Sequence, residues 1–188
     1  MKTTIHLRRL LAAGVLATGL AAGAMASPAD ASAKAPDVPA DIAVPKGNKL
    51  FLAVHASGVQ IYSCNATNGT PGWVLVAPRA NLYGANGKLM GTHFAGPTWE
   101  AKDGSWVVGK RDTGVTVDPS SIPWLRLSRV SSSAGPDGDR LAKTTFIQRT
   151  ATTGGLQPAA AECNPSTLGT VVEVPYTADY LFWTCAGD

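Results

Sequence analysis

Apolar side chains recur at every second position over short stretches of this chain, and each stretch ends in Gly, Pro, Asn or Asp. That alternation predicts strands over 50–56, 59–64, 73–78, 88–94, 106–110, 124–130, 144–149, 171–174 and 179–185. No window of helical length carries a sustained 3.6-residue apolar period, so the chain reads as all-β. Asn86-Gly87 and Asp103-Gly104 are dipeptides favoured in tight hairpins, and Gly96-Pro97 marks a reversal between them. Together they predict a meander of 88–94, 98–102 and 105–110. The expected fold is an antiparallel sandwich or partly closed barrel of about ten strands.

Turn symmetry then assigns a register. A turn centred on the Gly96 to Pro97 bond sets Phe94 opposite Trp99 and His93 opposite Glu100. The same reasoning around Ser57-Gly58 sets His55 opposite Gln60 and Ala53 opposite Tyr62. A slip of one residue would flip every side chain to the other face.

The first 26 residues combine a basic start (Lys2, Arg8, Arg9), an apolar Ala-rich run and the small-residue site Ala24-Met25-Ala26, the pattern of a secretory signal peptide cleaved after Ala26. Residues 27–45 are rich in Ala, Pro, Ser and Asp without periodicity and read as a flexible lead-in; residues 46–188 form the predicted all-β domain. The 188-residue chain has 16 basic and 13 acidic side chains, and the leader holds three of the basic ones and no acid. The mature chain is therefore formally neutral, without the electrostatic footprint of a nucleic-acid or anionic-membrane binder. No later stretch could span a bilayer, so a secreted protein is expected, extracellular or in the cell-envelope space, with no membrane insertion after cleavage.

Cys64, Cys163 and Cys185 would meet an oxidising compartment, where a disulfide is the default use. Spacing does not select among the three pairings; Cys64 with Cys163 is preferred, and Cys163 with Cys185 is the alternative. The cysteines are too scattered for a zinc motif.

The common catalytic and phosphate-binding motifs are absent, and no cofactor is implied. After leader removal only His55 and His93 remain, and nothing in their spacing makes a metal site. His93 and Glu100 are the catalytic candidates, a carboxylate holding an imidazole as an acid-base pair; the competing and preferred reading is a cross-strand polar pair serving the sheet. Of the five tryptophans, Trp73, Trp99, Trp106, Trp124 and Trp183, most should be core, with Trp106 the more exposed. Lys110-Arg111 could hold an acidic ligand, but a two-residue basic spot is more often a solvated strand end.

Several strings then stand out together: Val-Pro-Lys-Gly-Asn at 44–48, Gly-Val-Gln-Ile-Tyr-Ser-Cys at 58–64, Gly-Thr-His-Phe-Ala-Gly-Pro-Thr-Trp-Glu at 91–100, Ile-Pro-Trp-Leu at 122–125 and Val-Pro-Tyr-Thr-Ala-Asp-Tyr at 174–180. The set resembles the domain of unknown function 3455 family of secreted bacterial and fungal proteins, over residues 38–183. The resemblance implies that His93, Trp99, Glu100, Tyr176, Asp179 and Tyr180 sit in signature motifs of the family. It leaves Cys185 outside those motifs, as the odd thiol.

The leading functional expectation is a binding module whose cleft near His93, Trp99 and Glu100 takes a small polar or carbohydrate ligand, with Trp99, Tyr180 and His55 as ligand-binding residues. The alternatives are a hydrolase or isomerase using His93 and Glu100, and a structural or cell-surface interaction protein without a ligand site.

Overall fold

Alternation is kept along the strands, with one side chain inward and the next in contact with solvent or a covering loop. The computed structural model describes residues 35–187; the expected signal peptide, 1–26, lies outside the described residues, as does the lead-in up to residue 34. The described residues form eight strands: β1 (Asn48–Thr67), β2 (Thr70–Tyr83), β3 (Leu89–Phe94), β4 (Thr98–Ala101), β5 (Trp106–Val115), β6 (Trp124–Ser133), β7 (Phe146–Gly154) and β8 (Val171–Cys185). Each pairs antiparallel with the next, and β8 returns to β1, so the sheet closes into a barrel. Closure pairs every strand on both sides along part of its length; β2 meets β3 only over Ala80–Tyr83, so residues 70–79 of β2 are paired on the β1 side alone.

Eight strands replace the expected ten because two predicted breaks are absent. Segments 50–56 and 59–64 are one strand, β1, and segments 171–174 and 179–185 are one strand, β8. Ser57-Gly58 is therefore not a turn: His55 and Gln60 lie on the same strand, as do Ala53 and Tyr62, and neither pair faces across a hairpin. Gly58 serves a different need. A Cβ there would stand 2.1 Å from the Arg79 carbonyl oxygen, so its glycine permits close approach of β2 rather than a reversal. The real β1–β2 hairpin turns at Asn68-Gly69, where both residues have positive φ (51° and 81°) and Thr67 pairs with Thr70.

The inward faces of Val54, Leu82, Val107, Leu127, Ile147 and Phe182 build the core. Order begins before Lys46: a single 3-10 turn over Ala40–Ile42 buries Ile42 completely. Gln148 Nε2 donates to the Ile42 carbonyl (2.7 Å) and Arg126 Nη1 to the Ala43 carbonyl (2.7 Å). This end of the lead-in is thus fastened to the outside of the barrel. Cys64 in β1 is bonded to Cys163 in the connection between β7 and β8, and Cys185 is an exposed free thiol. No helix among the described residues is long and apolar enough to cross a membrane.

Candidate functional site

The β3–β4 turn determines what the barrel interior contains. Phe94 pairs with Thr98, leaving a three-residue loop whose central Gly96 takes φ of +93°. The reversal is centred on Gly96 itself, half a residue earlier than the expected bond. Every pairing after it shifts by one: His93 faces Trp99, and Glu100 faces Thr92. Glu100 is exposed on the outer face, next to Trp106 on β5, while His93 is only 3% exposed inside the barrel. The expected pair of His93 and Glu100 does not form.

Inside, His93 stacks on Trp99 with ring centroids 4.3 Å apart and planes 9° apart. Tyr180 stands edge-on to both, at 5.0 Å from His93 and 5.2 Å from Trp99, and Phe182 meets Trp99 edge-on at 6.2 Å. Room for the indole comes from Gly109 on β5, where an added Cβ would lie 3.1 Å from Trp99 Cζ3. Trp99 alone of the five tryptophans is fully buried; the other four, Trp106 included, are half-buried. An eight-stranded barrel is just wide enough for its own side chains or one small ligand, so one indole occupies much of this interior.

Polar groups among these rings are arranged unevenly. His93 Nδ1 donates to the Thr98 carbonyl (2.8 Å), which leaves Nε2 as the lone-pair nitrogen of the neutral ring. Burial pushes the His93 pKa down to about 3, against an opposing hydrogen bond to Thr98, so the ring is uncharged at physiological pH. Burial raises the Tyr180 and Tyr176 hydroxyls above their usual range, and they lie 3.4 Å from each other. Tyr62 donates to the Gly155 carbonyl (2.7 Å). Arg149, opposite Tyr180 in the β7–β8 register, donates from Nε and Nη2 to the Pro123 carbonyl (3.1 and 2.8 Å). Its positive potential pulls down the pKa of His93 and of all three tyrosines, opposing burial in the tyrosines and adding to it in His93. Among the described residues four buried polar atoms have no hydrogen-bond partner; two of them, the donors Gln60 Nε2 and Trp99 Nε1, belong to this interior, and the others are Arg126 Nε and Thr144 Oγ1.

Gln60 and Trp99 line a cavity of about 130 Å³ together with His93, Tyr180, Arg149 and Leu127. Each of the eight strands contributes at least one lining residue, so the cavity lies within the barrel rather than on its wall. At its rim are Leu75, 51% exposed, and the exposed Arg111. No group of three or more His, Cys, Asp or Glu among the described residues could hold a metal ion.

Residues 45–184 match the family model described as a protein of unknown function (DUF3455). The chain belongs to that family. No curated protein and no solved structure matches it. All the cavity-lining residues, from Gln60 to Tyr180, fall within the span that the DUF3455 model covers.

Of the residues singled out in the sequence, His93, Trp99 and Tyr180 come together in the cavity with Arg111 at its rim, and His55 and Glu100 do not. His55 lies on the outer face, where its Nδ1 donates to Asp179 Oδ1 (2.9 Å), with both side chains about half exposed. Gln60 and Arg149 belong to the cavity and were not anticipated. Their signal was in the alternation: Arg149 shares the phase of the buried Ile147, and Gln60 that of Ala56 and Tyr62. A polar residue at an inward position is the informative exception.

Proposed function

We propose that this member of the family is a small-molecule binding protein whose ligand enters the barrel between His93, Trp99, Tyr180 and Arg149. The observation that carries the reading is the pair of buried donors without partners, Gln60 Nε2 and Trp99 Nε1, beside an open cavity. Each such group costs about 1–3 kcal/mol when left unpaired, and native interiors hold few of them. Both atoms are covered by neighbouring side chains, so a ligand acceptor satisfies them only as it displaces that cover.

The volume limits the ligand. A dry cavity of roughly 150 Å³ accepts a molecule the size of benzene, so about 130 Å³ suits one ring or a short chain rather than an oligosaccharide. The apolar Leu125 and Leu127 suit the non-polar part of such a molecule. Reaction by a His93 and Glu100 pair gains no support, since the two lie on opposite faces of the sheet. Function outside the cytoplasm is supported by the leader pattern and by the Cys64–Cys163 bridge.

The test is the indole N–H resonance of Trp99, assigned with Trp99→Phe, during titration with a panel of benzene-sized acids, amides and alcohols. Saturable movement of that resonance by at least one compound is expected. A panel that leaves it unmoved while the protein stays folded contradicts a ligand site in the barrel.

A further inference from the structure

Resting on that reading, we propose that the ligand is a small organic acid held by its carboxylate. The lining contains two cationic side chains, Arg149 and Arg111, and neither Asp nor Glu. Neither arginine forms an ion pair with a carboxylate among the described residues, where the ion pairs are His55 with Asp179, Arg79 with Glu173 and Arg126 with Asp112. A half-buried guanidinium without a counter-charge is disfavoured, and an anion brought in from solvent relieves it.

The orphaned groups agree with the charge. Trp99 Nε1 and Gln60 Nε2 both donate, and a carboxylate is acceptor-only, with about four lone-pair sites on two oxygens. One indole, one amide and one guanidinium are enough to serve it. A phosphate dianion would bring more oxygens and more charge than these donors satisfy, and its tetrahedral shape has no use for the apolar wall of Leu125 and Leu127. His93 adds no charge, because its ring is neutral and its Nδ1–H is committed to Thr98. Discrimination between an acid and its neutral isostere therefore rests on the arginines. The remainder of the acid, one ring or a short aliphatic chain, fits the space that about 130 Å³ allows.

Calorimetric titration of the full chain at low salt with benzoate, benzamide and inorganic phosphate tests this. Benzoate should bind at least about tenfold more tightly than benzamide, the difference a charge-assisted hydrogen bond makes, and more tightly than phosphate. Arg149→Gln should reduce the preference for acid over amide to near unity. Arg149 also holds Pro123, so Arg111→Gln, at an exposed side chain, provides a second variant; it should lower the preference severalfold with the melting temperature unchanged. Equal binding of benzoate and benzamide overturns the carboxylate assignment, and so does phosphate binding as tightly as benzoate or a preference unchanged in both variants. Binding of the amide alone removes this inference and leaves the barrel site standing, whereas no binding of any probe, with an unmoved Trp99 indole, removes both.

Discussion

The imidazole of His93 lies parallel to the indole of Trp99 at a centroid distance of 4.3 Å, across the β3–β4 ladder. The backbone carbonyl of Thr98, one residue before Trp99, takes the His93 Nδ1 proton. The turn therefore fixes the ring's tautomer and its stacking partner together. Tyr180, arriving on β8, closes the cluster from the side.

His93 makes stability depend on pH. It is neutral in the folded protein, with a pKa of about 3, and titrates near 6.5 when exposed. The unfolded chain thus binds more protons between those values, so the stabilisation is complete above pH 6.5 and is lost as pH falls toward 3. Between pH 6.5 and 5 the loss from this residue is about 2 kcal/mol. Urea unfolding at several pH values measures it, and His93→Gln should flatten the slope over that interval. An unchanged slope in the variant contradicts a buried neutral imidazole.

Trp99→Phe separates packing from binding. Phenylalanine keeps a ring against His93 and removes the unpartnered indole N–H, so the cost should be about 1–2 kcal/mol rather than the 3–5 kcal/mol of a truncation to alanine. Affinity for a ligand that accepts from the indole should fall about tenfold. Equal affinity in Trp99→Phe would argue that Nε1 does not take part.

Gly109→Ala should act on the same ring from the opposite side. The new methyl would sit 3.1 Å from Trp99 Cζ3 and 3.3 Å from Leu127 Cβ, in a core with little slack. A destabilisation of about 1–3 kcal/mol is expected by denaturant unfolding, as for other overpacked cores. A neutral effect would show that the indole can retreat into the cavity.

Glu100→Gln serves as the outer-face control. The side chain is exposed and its partners, Thr92 and Trp106, share the outer face, so stability should change by less than about 0.5 kcal/mol and ligand affinity should not change. A large loss of affinity would restore Glu100 to the site.

Removing the Cys64–Cys163 bridge should cost about 4–5 kcal/mol, the loop-entropy value for a closed segment of 99 residues. Denaturant unfolding of Cys163→Ser measures this, and Cys185→Ser should match the natural protein because its thiol is free and exposed.

Strand content and the 88–110 meander were legible in the sequence because period-2 alternation and turn dipeptides are local signals. Topology at Gly58 and around Pro175 was not. A glycine that admits a neighbouring strand and a glycine that turns the chain look alike until the partner carbonyl, here that of Arg79, is in place. The site was legible in part for the same reason: His93, Trp99 and Tyr180 were visible as residue types, but their company depended on whether the turn centred on Gly96 or on the bond after it. Half a residue at that turn decided that His93 meets Trp99 instead of Glu100. Arg149 could have been found as a charge in the inward phase of its strand.

The most direct measurement is a crystal structure of the protein grown with benzoate. The carboxylate is expected in the barrel cavity, within hydrogen-bonding distance of Trp99 Nε1, Gln60 Nε2 and the Arg149 guanidinium, with its ring against Leu125 and Leu127. Benzoate bound elsewhere, or a cavity holding only water at saturating benzoate, would contradict the account.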